Sequence, residues 1–96
     1  MYTLKVKNID EAATLALRAL QFVLADEDIQ NRFLALSGIS PKEVKNSIHD
    51  NNFLGGVLDF LLSNETDVLR FCEEFQVDPE QPLIARRLLP GNTPEH

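Results

Sequence analysis

A cysteine, a histidine and an aspartate are the residues of this sequence whose chemistry could support nucleophilic catalysis. His49 and Asp50 are adjacent, and Cys72 is the one cysteine of the chain. A cysteine–histidine site needs a thiolate, a base within hydrogen-bonding reach and a third group that orients the base. Cys72, however, shares a helical face with Val68 and Phe71, and burial on such a face raises the pKa of a thiol and makes it unreactive. The pattern favours a core cysteine, and we expect no catalytic residue and no enzymatic activity.

Clustered acidic side chains are the sequence's candidate metal ligands. Asp26, Glu27 and Asp28 are consecutive, so they lack the alternating ligand spacing of a calcium loop. In the first turn of a helix their charge is favourable without any ligand. Arg32 follows Asp28 by four residues, and we expect a local surface pair there. The sequence also lacks a glycine-rich phosphate loop, and we expect neither a metal nor a cofactor.

Two adjacent glycines indicate a helix surface to which another backbone, a ligand or a partner peptide can come close. Gly55 and Gly56 fall inside a predicted helix, where each costs about 1 kcal/mol relative to alanine. Close approach of another backbone would explain them, and the first long helix is the expected neighbour. The functional interpretation is the floor of a groove for a ligand or a partner peptide. Its candidate partner-binding residues are Gly55, Gly56 and Asp59.

The stretch from Ser37 to His49 resembles a helix-turn-helix. Gly38 lies in the turn and Ser40 can cap the second helix. A basic stripe on that second helix would face DNA. The acidic chain counts against this alternative, because a net charge of −6 repels phosphate. The residues that would contact nucleic acid are Lys42, Lys45, Asn46 and His49.

Capping signals divide the chain into short helices with short connections. Ser40 and Glu43 are spaced as a capping box, with Pro41 at the first helical position. Connections of two to four residues are typical of compact bundles. We therefore predict an all-α bundle of five to six short helices. The predicted helices are Glu11–Ala25, Glu27–Ser37, Pro41–His49, Asn52–Ser63, one that opens at Asn64–Asp67 and one that opens at Asp78–Pro79.

An offset of 38 residues aligns the two halves of the chain. Caps, prolines and helical phase all correspond at this offset, which predicts a tandem duplication of a three-helix unit. The alternative is that any two helix–cap–helix segments look alike. The corresponding pairs include Phe22/Phe60, Asp26/Asn64, Arg32/Arg70, Phe33/Phe71 and Pro41/Pro79.

Length and charge restrict the class of protein. The chain has 96 residues, which suffices for one core and one domain. A single cysteine forms no internal disulfide, and no apolar run approaches the length of a membrane span. We expect a cytoplasmic protein with a loose N-terminal arm over residues 1–8, a helical domain over residues 9–91 and a disordered tail over residues 92–96.

Four segments carry a family resemblance: Ala16–Asp28, Arg32–Pro41, Phe53–Glu65 and Ala85–Gly91. They resemble a family of small, mostly alphaproteobacterial proteins described only as a domain of unknown function (DUF 3572). The stretches RFLALSG and ARRLLPG are the more specific, whereas Lys42 departs from a more acidic stretch in the family. The resemblance implies a bacterial, cytosolic, uncharacterised protein and supplies no active site.

These observations favour a non-enzymatic protein-interaction or accessory module that binds an unidentified protein. Two alternatives stay open: a DNA-binding helix-turn-helix and a homo-oligomeric structural protein, such as a homodimer. Membrane binding is not expected.

Overall fold

Six α-helices account for most of the part of the chain that the structure, a computed structural model, describes, residues 5–91. Within that range the backbone forms no β-strand, so the predicted all-α bundle is confirmed. The helices are α1 (Ile9–Ala25), α2 (Glu27–Ser37), α3 (Pro41–Ser47), α4 (Asn51–Leu62), α5 (Glu65–Phe75) and α6 (Gln81–Leu88).

The first helix begins two residues earlier than predicted. Asn8, rather than Asp10, is its N-cap, and the Asn8 side-chain oxygen accepts a hydrogen bond from the Glu11 N–H at 2.9 Å. Both residue types cap helices well, so the sequence pattern alone did not separate them.

The third helix is two residues shorter than predicted. α3 ends at Ser47 rather than at His49, and α4 begins at Asn51. Asp50 has an extended backbone and accepts a hydrogen bond from the Asn52 N–H at 2.9 Å. The Asp50 N–H donates a hydrogen bond of 2.9 Å to the Ser47 carbonyl, so that residues 48–49 form a turn between the two helices.

The sixth helix begins later than predicted. The Asp78 side chain accepts a hydrogen bond from the Glu80 N–H, and its carbonyl accepts one from the Gln81 N–H. These bonds form a turn through Pro79, and α6 follows it. An aspartate that bonds to the backbone two residues ahead is a turn signal as well as a cap signal.

The two long helices, α1 and α4, form the centre of the bundle. They pack against each other, and α6 packs against both of them. Seven of the 17 residues of α1 and six of the 12 residues of α4 are buried, as expected for helices at the centre of a bundle. The largest fully buried side chains include Leu15, Val23, Leu54, Leu58, Leu61 and Phe71.

The second helix of each half has the same length and the same ends. Asp26 and Asn64 each accept a hydrogen bond from the N–H three residues ahead. Gly38 and Gln76 each end their helix in the left-handed region, at φ 75° and φ 58°. The 38-residue offset relates every one of these positions to its counterpart.

Aromatic contacts between the halves are reciprocal. Phe33 of α2 packs edge-on against Phe60 of α4, with ring centroids 5.3 Å apart. Phe71 of α5 packs in the same manner against Phe22 of α1, with centroids 5.7 Å apart. The offset maps one pair onto the other, which supports the predicted duplication for the first two helices of each half.

The third helices of the two halves differ. α6 packs between α1 and α4 and buries four residues, whereas α3 buries one of its seven residues, Val44. The third helices thus pack differently in the two halves.

The described end of the N-terminal arm is attached to the bundle. Val6 is buried, and its N–H donates a hydrogen bond of 2.8 Å to Oε1 of Gln81. The rest of the predicted loose arm, residues 1–4, and the predicted disordered tail, residues 92–96, lie outside the described residues.

Candidate functional site

A groove opens between α2 and α4, and we call it the α2–α4 groove. Its volume is about 480 Å³. Phe33, Phe53 and Phe60 form its aromatic wall, in which Phe33 contacts each of the other two rings edge-on. The remaining lining residues are Leu36, Ser37, Ile39, Gly56, Asp59 and Ser63.

Leu36 is the exposed apolar side chain of this groove. Helical spacing places it one turn after the buried Phe33, yet it is 75% exposed. Gly56 also lines the groove and is exposed, and it carries no side chain that could cover a neighbour. The groove is therefore open at Leu36.

The two glycines have different roles. A Cβ on Gly55 would lie 2.9 Å from the Pro90 carbonyl oxygen and 2.9 Å from Nη1 of Arg86, so its close neighbour is the end of α6. The expectation that α1 approaches Gly55 is wrong. A Cβ on Gly56 would meet no atom within 4 Å. Gly56 and Asp59 line the groove, and Gly55 faces α6.

Asp59 is held in place by a buried arginine. Nε and Nη2 of Arg86 donate hydrogen bonds of 2.6 Å and 3.1 Å to the two carboxylate oxygens of Asp59. The Arg86 side chain is 6% exposed and that of Asp59 is 59% exposed. Nη1 of Arg86 also donates to the carbonyls of Leu89 and Pro90. The pair orients Asp59 at the edge of the groove while its carboxylate stays accessible to solvent.

Arg32 lies beside the groove and pairs across the bundle. Its Nη2 donates a hydrogen bond of 2.8 Å to Oδ2 of Asp67, a buried residue at the start of α5. Its guanidinium carbon lies 5.4 Å from the centre of the Phe60 ring. The local pair expected with Asp28 is therefore wrong. Sequence spacing within one helix could not identify a partner 35 residues away.

Cys72 is in the core, as the sequence predicted. Burial, with a smaller contribution from the charge of Asp78, raises the pKa of its thiol to about 11. The thiol is thus protonated at neutral pH, which is unfavourable for a nucleophile. His49 lies in the exposed turn beyond α3.

The residues of the DNA-binding alternative are accessible. Lys42, Lys45 and Asn46 are exposed on α3, and His49 is exposed after its end. No group of three or more His, Cys, Asp or Glu side chains within residues 5–91 could hold a metal ion. Of the helices described, none has both the length and the apolar character needed to cross a membrane.

The fold and the groove define a small all-α protein with an aromatic-walled surface groove between α2 and α4. The model of a family described as "Protein of unknown function (DUF3572)" matches residues 9–92, and the chain belongs to this family. The resemblance seen in the sequence is thereby confirmed. No curated protein and no solved structure matches the chain.

Proposed function

We propose that this chain is a non-enzymatic protein-interaction module that binds a segment of a partner protein in the α2–α4 groove. The observation that carries the proposal is the exposure of Leu36 directly beside Phe33 and Phe53. Scattered apolar side chains are normal on a protein surface, whereas a contiguous apolar concavity indicates a binding site.

The shape of the groove fits a helical segment. Two helices border it, and a groove between helices binds the apolar face of a third through side chains spaced one turn apart. Gly56 has no side chain, so a partner backbone can approach α4 closely at this position. Covering Leu36 would contribute about 1–2 kcal/mol to binding, from the apolar area removed from water.

The buried thiol supports the non-enzymatic part of the proposal. Cys72 is the strongest nucleophile by residue type, and its raised pKa leaves it protonated. Five of the nine residues that line the groove are apolar, and the others are two serines, a glycine and Asp59, which is the one titratable group among them.

The test is capture of partners from nuclease-treated lysate, followed by direct binding of each purified candidate. Leu36→Asp should weaken that binding at least about tenfold, since a carboxylate cannot enter an apolar groove without losing its hydration. Leu69→Asp is the matched control, because Leu69 is 52% exposed on α5 and does not line the groove. Circular dichroism should show both variants folded.

Two results would overturn the proposal. One is a purified partner that binds the wild type and Leu36→Asp equally. The other is capture that disappears with nuclease and depends on Lys42 and Lys45, which would assign function to α3 and to DNA.

A further inference from the structure

The ion pairs between the two halves of the molecule are reciprocal, as the phenylalanine pairs are. Arg32 of α2 donates a hydrogen bond of 2.8 Å to Asp67 in the first turn of α5. Arg70 of α5 donates one of 3.5 Å to Asp26, the N-cap of α2. Each arginine also lies over a phenylalanine ring in the long helix of the opposite half. Contacts of the same kind thus run in both directions between the halves.

The packing of the helices also crosses between the halves. α1 of the first half packs against α4 and α6 of the second half. Phe33 of α2 contacts the rings of Phe53 and Phe60 on α4, and Val6 donates its N–H to Gln81 of α6. Each half is therefore covered by the other half, and a second copy of the chain presents the same covering surfaces.

The segment that joins the halves, which we call the connector, is residues 38–50. It contains α3, whose one buried residue is Val44, and its Ile39 and Ile48 are half-buried against the core. A segment with few buried contacts can open without global unfolding. Thirteen residues reach about 43 Å when extended, and the longest axis of the molecule is 34 Å. The connector is thus long enough to join halves that lie in two separate bundles.

We propose that two copies of this chain exchange halves to form a dimer. In this dimer α1 and α2 of each copy pack against α4, α5 and α6 of the other copy. Exchange of an identical element is a low-cost route to a dimer, because the contacts between the elements are kept. Here the attachment of the connector is what changes.

Concentration decides between the two forms. Within one chain the halves meet at an effective concentration on the order of millimolar, so the closed chain prevails in dilute solution and the exchanged dimer in concentrated solution. Each α2–α4 groove of the dimer takes α2 from one copy and α4 from the other. The exchange itself does not depend on whether that groove binds a partner.

The ion pair between Arg32 and Asp67 allows a test in which two destabilised chains restore each other. Arg32→Asp brings two carboxylates together and Asp67→Arg brings two guanidinium groups together, so each single variant should lose stability as a closed chain. An exchanged dimer with one copy of each variant has the wild-type pair in one bundle and the reversed pair in the other. After unfolding in urea and joint refolding, we expect native mass spectrometry to find this heterodimer as the main species. Each variant refolded alone should give little dimer.

The double variant Arg32→Asp/Asp67→Arg is the matched control. It carries the reversed pair within one chain and should refold as a monomer under the same conditions. The wild type supplies a second measurement that needs no substitution at the ion pair. Refolding at about 1 mM should give at least about fivefold more dimer than refolding at about 10 µM. Leu36→Asp should leave that dimer unchanged, because the exchange does not require contact between two grooves.

Two results would overturn the proposal. One is a mixture of the single variants that forms no heterodimer although the double variant folds. If the double variant does not fold, the wild type decides. Absence of a dimer after refolding at the high concentration, or a dimer that Leu36→Asp removes, would each show that the halves are not exchanged.

Discussion

Gly55 and Gly56 are adjacent in the sequence, and the same substitution should have opposite effects at the two positions. Alanine gains about 1 kcal/mol over glycine inside a helix. At Gly55 that gain is lost, because the new Cβ would lie 2.9 Å from the Pro90 carbonyl oxygen, a backbone atom. Overpacking of this kind costs about 1–3 kcal/mol.

We therefore expect Gly55→Ala to lower the free energy of unfolding in urea and Gly56→Ala to raise it by up to about 1 kcal/mol. Each variant is the control for the other, since the chemical change is identical. Stabilisation by both would mean that the end of α6 moves aside without cost.

At the scale of the helix, the equivalent caps of α2 and α5 differ in charge, since Asp26 caps α2 and Asn64 caps α5. Asp26 accepts the Ile29 N–H, and this hydrogen bond, together with Arg70, holds the pKa of its carboxyl below the usual value despite some opposing desolvation. A carboxyl whose pKa is lowered by folding stabilises the fold above its unfolded pKa. That contribution is lost as the pH falls through the folded pKa.

Asp26→Asn should therefore flatten the dependence of stability on pH in the acid range below 3.8, the usual pKa of the group. The cap hydrogen bond should survive, because Asn64 makes the same bond in α5. Asn64→Asp is the mirror variant and should add acid sensitivity. Thermal unfolding between pH 2 and pH 6 measures both, and unchanged slopes would contradict the assignment.

Helix bounds were predictable where two independent signals agreed. Asp26 and Gly38 mark the two ends of α2, and both predicted bounds are confirmed. Asp78 and Pro79 also had the residue types of a helix start, but the side chain of Asp78 forms a turn instead. Local signals of this kind identify a helix and leave its first residue open.

The groove was predictable only in part, because it depends on residues from different helices. The adjacent glycines predicted the floor of a groove on α4, and Gly56 does line the groove. The exposure of Leu36 did not follow from its helical spacing, since spacing does not say whether the facing helix supplies a covering side chain. The sequence also could not identify the ion-pair partner of Arg86, because Asp59 lies 27 residues away.

At the scale of the whole molecule, Arg86 connects α6, α4 and the chain beyond α6. Four hydrogen bonds link its guanidinium to Asp59, Leu89 and Pro90. Removal of the Arg86 side chain takes the donor away from the carbonyls of Leu89 and Pro90 and from the Asp59 carboxylate. It also leaves a cavity.

We expect Arg86→Ala to lower the free energy of unfolding by about 2–3 kcal/mol, because two backbone carbonyls lose their donor and the buried side chain leaves a cavity, whereas the exposed Asp59 carboxylate is rehydrated. Arg87→Ala, at the adjacent exposed position, should change it by less than about 0.5 kcal/mol. Chemical denaturation measures the free energy of unfolding of each variant. Equal losses of stability in the two variants would show that Arg86 acts only through its charge.

The reciprocal phenylalanine pairs also have a consequence for folding during synthesis. Phe22 leaves the ribosome long before Phe71, and Phe33 before Phe60, so the first half emerges with both aromatic rings uncovered. Contacts between distant residues have to close a long loop before they contribute any stability. Neither half covers its own aromatic ring, so we expect the two halves to fold together as one cooperative unit.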